Sequence, residues 1–197
     1  MTKIEKPAAA NATLHPIISG RFSPRIYDST ALLTQAEIES LGEAFRWAPS
    51  SNNQQPWQVV FLNRGSQLFA EISERGLTGF NQSWAPSASL YAIVLAKQLQ
   101  EGQPRNQAAT YFDVGLASQQ MVLQAESMGL RSHYMGGIVH EEIAKILGVK
   151  DHWVVCIITI GKQGDIEAAS AEVAERESAP RARRASESVY QVDAKLG

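Results

Sequence analysis

Cysteine is almost absent from this sequence, in which Cys156 is the single example among 197 residues. This absence excludes an internal disulfide and a cysteine-rich metal site. Cys156 itself stands in the apolar run 153–158, Trp-Val-Val-Cys-Ile-Ile, and a thiol in such a run is typically buried and unreactive. Nucleophilic chemistry is therefore not expected from cysteine.

Long hydrophobic runs and a surplus of one charge are absent as well. No apolar stretch approaches the roughly 18–20 residues of a membrane span, and the N-terminal residues lack the apolar core of a secretory signal. The net charge is −2, which creates no general attraction for nucleic acid or for an anionic membrane. We therefore expect a cytoplasmic protein whose partners include neither nucleic acid nor membrane.

The motifs of self-contained catalytic sites are also missing. The chain has no Gly-x-Gly-x-x-Gly dinucleotide fingerprint, no complete phosphate-binding P-loop and no Gly-x-Ser-x-Gly nucleophile turn. Its four histidines are scattered without the spacing of metal ligands. We therefore predict no metal site and no catalytic side chain. If the protein is an enzyme, a bound cofactor carries the chemistry.

What is present indicates an α+β (mixed α/β) domain. Thr34-Gln35-Ala36-Glu37 is a capping box at the start of a helix that Pro49 ends. Apolar runs predict strands, and a wide apolar face predicts a long central helix. The strands are expected at 57–62, 90–96, 131–135 and 153–160, and the long helix at about 107–128. We divide the chain into a flexible N-terminal arm at 1–16, a domain at 17–161 and a C-terminal extension at 162–197.

Several polar or glycine-containing stretches exceed what turns require. They are Arg21–Arg25, residues 48–57, residues 80–84, the Gly136-Gly137 pair and the basic cluster Arg181–Arg184. An FMN would need cations and a hydroxyl for its phosphate, carboxamides for its pyrimidine edge, an unobstructed backbone N–H for N5 and a cation near N1 and O2. Taken separately, the stretches are also consistent with surface charges, a polar loop, an ordinary turn and a solvated tail.

The order and spacing of these stretches resemble the nitroreductase family of FMN-dependent NAD(P)H oxidoreductases over roughly residues 17–190. Arg21-Phe22-Ser23-Pro24-Arg25 matches the family's opening Arg-x-Ser-x-Arg/Lys motif, and APSSNNQQPW at 48–57 matches Ala-Pro-Ser-Ser-x-Asn-x-Gln-Pro-Trp. Gly136-Gly137 matches a Gly-Gly turn, and residues 180–183 match a closing Pro-Lys-x-Arg. The resemblance implies a central, mostly antiparallel sheet flanked by helices, in an intertwined homodimer with FMN at the subunit interface and the C-terminal extension wrapped around the partner.

The same resemblance implies a role for each matching residue. The arginines and Ser23 would bind the phosphate and ribityl end of FMN, except that Arg25 would lie near N1 and O2 of the ring. Asn81 would pair with the pyrimidine edge, and the two glycines would offer N–H groups to N5 and O4. The 49–55 loop would reach the flavin bound mainly by the other subunit. The predicted cofactor-binding residues are Arg21, Phe22, Ser23, Arg25, Pro49, Ser50, Ser51, Asn53, Gln55, Asn81, Met135, Gly136, Gly137, Arg181 and Arg183.

Two departures from the family pattern bear on the substrate. Trp84 stands where some members have a second lysine, and we predict that it lines the substrate pocket. The segment between the second strand and the long helix, residues 97–106, is short, so the helical insertion that covers the pocket in larger members is reduced. The implied activity is ping-pong transfer of hydride from NADH or NADPH, through flavin N5, to a nitroaromatic, a quinone, or an activated enone or aldehyde. Two alternatives stay open: a non-catalytic flavin-binding sensor or storage protein, and a specialised flavin-fragmenting or dehalogenating relative.

Overall fold

A four-stranded antiparallel sheet forms the centre of the protein, which we describe over residues 2–193 from a computed structural model. The first residue and residues 194–197, at the outer ends of the predicted arm and extension, lie outside the described residues. The strands are β1 (Trp57–Asn63), β2 (Leu90–Lys97), β3 (Leu99–Gln100), β4 (Gln103–Pro104), β5 (Arg131–Met135) and β6 (His152–Gly161). The central sheet has the order β1-β2-β6-β5, with every pairing antiparallel, and β3 and β4 form a separate hairpin. The predicted α+β fold with an antiparallel sheet is confirmed.

Helices flank this sheet. Within residues 2–193 they are α1 (Pro16–Gly20), α2 (Gln35–Arg46), α3 (Gln67–Glu71), α4 (Asn81–Trp84), α5 (Gln107–Ser127), α6 (His140–Leu147) and α7 (Ala171–Ser178). None of them combines the length and hydropathy that a membrane crossing requires.

Strand β2 is buried on both faces. Tyr91 and Ile93 pack into the core layer that contains residues of α3 and α6, whereas Ala92 and Val94 pack into the layer that contains residues of α2 and α5. Successive side chains of a strand point to opposite faces, so a strand between two helical layers requires apolar residues at every position. This explains the uninterrupted apolar run that predicted the strand.

Helix α5 is the long helix that the sequence predicts. The Asn106 side chain caps its start by accepting a hydrogen bond from the Ala109 N–H at 3.0 Å. Gly129 follows its end with φ of +72°, a conformation that glycine adopts without strain. On one side, Gln124 of α5 donates to the Ser40 hydroxyl of α2 at 2.9 Å, which ties the two helices together.

The N-terminal segment and the C-terminal extension lie against each other and against the sheet. Lys6 donates from Nζ to the carbonyl oxygen of Ala179 at 2.8 Å. Gln163 donates from Nε2 to the carbonyl oxygen of Ile4 at 2.7 Å. Glu5 and Gln163 also contact Arg131 at the start of β5, where part of the predicted site is found. The boundaries of arm, domain and extension stay a prediction.

Candidate functional site

The Arg21–Arg25 segment alternates between core and surface. Phe22 and Pro24 are buried, whereas the polar residues of the motif are partly exposed, namely Arg21, Ser23 and Arg25. This is the alternation of an extended chain, so the Arg-x-Ser-x-Arg spacing places three polar side chains on one face. Phe22 anchors the segment, since the Arg131 guanidinium lies 5.2 Å from its ring centroid. The Phe22 side chain is buried, and its contact with a cofactor stays a prediction.

Arg181 of the C-terminal extension joins this segment at its Arg21 end. Arg181 Nη1 donates hydrogen bonds to the carbonyl oxygen of Ser19 at 3.1 Å and to that of Lys6. Partial burial, together with the nearby guanidinium groups of Arg21 and Arg183, lowers the pKa of Arg181. Three guanidinium groups therefore lie near one another just after α1, and their mutual repulsion favours a bound anion.

The predicted ring-binding residues meet at the far end of β5. Gly136 and Gly137 directly follow this strand and are exposed. Asn81, in α4, donates from Nδ2 to the Gly137 carbonyl oxygen at 3.1 Å, and the Thr78 N–H donates to the same oxygen at 3.2 Å. A Cβ on Gly137 would lie 3.0 Å from Asn81 Nδ2, so glycine allows this close approach. Met135 is buried, and its contact with a cofactor stays a prediction.

Strand β5 connects the two ends of this arrangement. Arg131, at its start, stacks on Phe22 near the arginine cluster, and Gly136 directly follows its end. At about 3.3 Å per residue, the strand separates Arg131 from Gly136 by roughly 17 Å. The polar face of the Arg21–Arg25 segment runs beside this strand, so the site suits an elongated ligand with an anionic end.

His133, in the middle of β5, holds the Arg21–Arg25 segment in place. Its Nδ1 lies 2.9 Å from the carbonyl oxygen of Pro24. That oxygen can only accept a hydrogen bond, so Nδ1 carries the proton. The pKa of His133 is lowered to about 4. Burial is the main cause, and the nearby positive charge of Arg25 contributes to the same lowering. His133 is therefore neutral at pH 7 and acts as a hydrogen-bond donor.

Trp84 lies inside the core next to this segment. Its ring centroid is 4.6 Å from that of His133 and 6.4 Å from that of Tyr27. Its Nε1 donates no hydrogen bond to any residue in the described part of the chain. Trp84 also lines a cavity of about 390 Å³, together with Arg25 and Ser170 among others. A cavity of this volume can hold a small molecule; the assignment of Trp84 to a substrate pocket stays a prediction.

The loop at residues 48–57 has an unusual backbone and is held by α5. Asn52, Asn53 and Gln55 have φ values of +50°, +54° and +46°, each of which costs a residue other than glycine about 1 kcal/mol. The buried carboxylate of Asp113, in α5, accepts a hydrogen bond from the Ser51 N–H at 3.3 Å. Strain of this kind is often found at functional sites.

Part of the loop's polar content is used within the loop itself. The Gln55 N–H donates to the Ser50 hydroxyl at 2.9 Å, and Gln55 Nε2 donates to Asn53 Oδ1 at 3.1 Å. A second cavity, of about 330 Å³, lies between the loop and α5 and is lined by Pro49, Ser50, Ser51 and Phe112 among others. The loop thus combines internal support with an open concave surface.

Within one chain, the predicted site residues form two separate groups. The larger group follows β5 from the arginine cluster to the glycine pair. The smaller group is the 49–55 loop, which lies beside Asp113. Arg181 lies near Glu126, and the stretch of α5 from Asp113 to Glu126 spans about 20 Å at about 1.5 Å per residue. The structure therefore does not bring the loop to the arginine cluster of the same chain.

Three buried or half-buried polar residues support these groups but were not predicted from the sequence. They are His133, Asp113 and Glu177. The sequence did contain a signal for Glu177, because it follows Val173 by four residues and so shares the buried face of α7. Asp113 carried the same signal, because it precedes Ala117 by four residues on the buried face of α5, whereas His133 carried none, since its partner Pro24 lies far away along the chain.

Comparisons with known proteins agree with this architecture. The model of the nitroreductase family matches residues 18–162. A protein from Bacillus subtilis (strain 168) named "Putative NAD(P)H nitroreductase YdgI" is 28% identical over 183 residues, covering 76% of this chain and 88% of that protein. An uncharacterised 15.4 kDa protein from Mycolicibacterium smegmatis is 33% identical over 139 residues, covering 67% of this chain and 92% of that protein. A solved structure described as "The crystal structure of the oxidoreductase containing FMN" superposes with a TM-score of 0.86 at 28% identity, over 100% of both chains. The chain therefore belongs to the nitroreductase family and is an oxidoreductase.

Proposed function

We propose that the protein binds FMN and uses it to oxidise NADH or NADPH and to reduce a small electron acceptor. The observation that carries this proposal is the convergence of Arg21, Arg181 and Arg183 beside the polar face of an extended segment. A phosphate dianion is the ligand that such a cluster binds best, through charge-assisted hydrogen bonds. The names of two similar proteins, "Putative NAD(P)H nitroreductase YdgI" and "oxidoreductase containing FMN", support the choice of reductant and cofactor.

The residues present fit FMN at both ends of the site. At the phosphate end there are two nearby carboxylates, those of Glu5 and Glu126. Each forms an ion pair with Arg131, which is not one of the three clustered arginines. At the ring end, Asn81 supplies a carboxamide beside two exposed glycines. When bound, FMN would supply the redox chemistry, namely two-electron transfer from NADH or NADPH to a nitroaromatic, a quinone, or an activated enone or aldehyde in a ping-pong cycle.

The chain's own residues then bind, orient and polarise. The arginine cluster anchors the phosphate, and Asn81 sets the orientation of the ring by pairing with its pyrimidine edge. Arg25 contributes a positive charge where the ring gains negative charge on reduction. No side chain has to transfer a proton in this scheme, because solvent can supply it.

A homodimer would unite the two groups of site residues. The loop and the arginine cluster lie about 20 Å apart along α5, so we propose that the loop of one chain completes the site of its partner. Large apolar side chains surround the loop: Trp47 is 70% exposed and Phe112 is 68% exposed. Apolar groups grouped around a concave surface are typical of a surface that another molecule covers.

The cofactor proposal is tested by purification and titration. The purified protein should be yellow or should take up one FMN per chain, and NADH or NADPH should bleach the bound flavin under anaerobic conditions. Reoxidation by menadione, a nitrofuran and an activated enone then ranks the acceptors. A colourless protein that takes up no FMN would overturn the proposal, whereas bound FMN without turnover would favour the sensor or storage alternative.

The dimer proposal is tested by the substitution Phe112→Glu. A charge at this position should give a monomer in sedimentation experiments and should weaken FMN binding, because the partner's loop is lost. Leu68→Glu is the matched control: Leu68 is 39% exposed on α3, which lies on the opposite face of the sheet. The proposal fails if Phe112→Glu stays a dimer or if the unchanged protein is a monomer with full FMN affinity.

A further inference from the structure

Glu177 is a buried carboxylate to which the proposed function assigns no role. It lies on α7, in the C-terminal extension, and only 1% of its surface is exposed. Its Oε2 accepts a hydrogen bond from the backbone N–H of Arg25 at 2.9 Å. Its Oε1 accepts no hydrogen bond from any of residues 2–193. A buried carboxylate with one oxygen unpaired is costly, so its presence calls for a functional explanation.

Glu177 and His133 together hold a single peptide group. His133 donates to the carbonyl oxygen of Pro24 at 2.9 Å, and Glu177 accepts from the N–H of Arg25, which belongs to the same peptide bond. One support comes from β5 and the other from α7. Because the two polar groups of this peptide are held by side chains of β5 and α7, the position of Arg25 depends on the docking of α7.

The carboxylate of Glu177 faces two cations. Lys6, whose Nζ donates to the Ala179 carbonyl just after α7, and Arg25 both act on it, and the Tyr27 side chain lies close enough to sense its charge. Burial raises the pKa of Glu177, while the hydrogen bond from Arg25 and the two cations act in the opposite direction. Because the carboxylate is buried, water screens its charge less than it would screen a charge at the surface.

We propose that Glu177 is a positioning residue that holds Arg25 and offsets part of its positive charge, so that it weakens the preference of the site for reduced over oxidised flavin. The inference rests on the proposed function, in which Arg25 lies near N1 and O2 of the ring. A cation there favours the reduced ring, which carries more negative charge than the oxidised ring. A fixed carboxylate behind that cation acts in the opposite direction.

The test is the substitution Glu177→Gln, which removes the charge and keeps an oxygen that can accept the hydrogen bond from Arg25. The dissociation constants of oxidised and reduced FMN are measured by titration, and the reduction potential by equilibration with a reference dye. We take a separation of about 10 Å between the Glu177 carboxylate and the flavin ring and an effective dielectric constant of about 20. The ratio of the dissociation constant of oxidised FMN to that of reduced FMN should then rise about tenfold. For a two-electron couple this corresponds to a rise in potential of about 30 mV. An unchanged ratio would overturn the inference.

Two controls separate charge from packing. Glu175→Gln makes the same chemical change at an exposed position of α7 and should leave the ratio unchanged, because water screens that charge. Val173→Ala removes buried apolar volume from α7 and should lower stability without changing the ratio. If Val173→Ala changes the ratio as much as Glu177→Gln does, loosening of α7 explains the effect and the inference is wrong.

A second variant keeps the inference testable if Glu177→Gln does not fold. Glu177→Asp retains the charge but withdraws the carboxylate from the Arg25 N–H. It should weaken the binding of oxidised and reduced FMN by a similar factor, leaving the ratio unchanged; a ratio that rises would count against the inference. If the unchanged protein binds no FMN at all, the proposed function fails, whereas FMN binding with the same ratio in Glu177→Gln refutes only the role of Glu177.

Discussion

Lowering the pH from 7 to 5 should destabilise the protein through one identifiable residue, His133. The pKa of His133 is about 4 in the folded protein, compared with 6.5 for an unperturbed histidine. The folded-state pKa is the lower one, so the unfolded state binds more protons between these values. The stability that the neutral ring contributes is complete above about pH 6.5 and is lost as the pH falls toward 4.

The magnitude follows from the two pKa values. Between pH 7 and pH 5 the unfolded histidine becomes almost fully protonated, whereas the folded one stays neutral. Proton linkage then lowers the free energy of unfolding by about 2 kcal/mol over this interval. Other groups titrate over the same range, including His152, whose pKa burial also lowers.

The comparison variant His133→Gln isolates the contribution of His133. Glutamine keeps a side-chain donor for the Pro24 carbonyl but does not titrate. The free energy of unfolding of both proteins is measured by urea denaturation at pH 7 and at pH 5. Effects on packing against Trp84 are the same at both pH values and cancel in the difference of differences, as do the titrations of other groups. The unchanged protein should lose about 2 kcal/mol more than the variant. If the two proteins lose the same free energy, His133 is not held neutral by burial and the reasoning is refuted.

Three further predictions concern the proposed cofactor site. Gly137→Ala should lower the free energy of unfolding by about 1 kcal/mol, because a Cβ 3.0 Å from Asn81 Nδ2 displaces a hydrogen-bonded side chain. Gly136→Ala should leave it unchanged, because no atom lies within 4 Å of the added Cβ; urea denaturation compares the two variants. Asn53→Ala and Asn53→Gly should both weaken FMN binding. Only the alanine variant should also lose about 1 kcal/mol in the free energy of unfolding, because φ at position 53 is +54°; equal stability of the two variants would contradict this. Arg181→Gln should weaken FMN binding about tenfold or more through the loss of a charge-assisted contact to phosphate, and fluorescence titration should show that riboflavin, which lacks the phosphate, binds equally well to both proteins.

The helices and strands could be predicted wherever their signals are local. The capping box at Thr34 is observed, with the Thr34 hydroxyl accepting from the Glu37 N–H at 3.2 Å and the Glu37 carboxylate accepting from the Thr34 N–H at 2.7 Å. The hairpin of β3 and β4 was not predicted, because strands of two residues show no periodicity. Its turn depends on Glu101 and Gly102, whose φ values are +49° and +78°.

The sequence by itself determined which polar residues share a face of the chain. The Arg-x-Ser-x-Arg spacing puts three side chains on one side of an extended segment, and the uninterrupted apolar run of β2 demands a layer on each face of the sheet. Only the tertiary structure decided which of these residues meet. Arg181 reaches Ser19, and Glu177 reaches Arg25, across more than three quarters of the chain. The physical reason is that local backbone geometry follows from neighbouring residues, whereas burial and charge compensation arise only when the folded sheet and the C-terminal extension bring distant residues into contact.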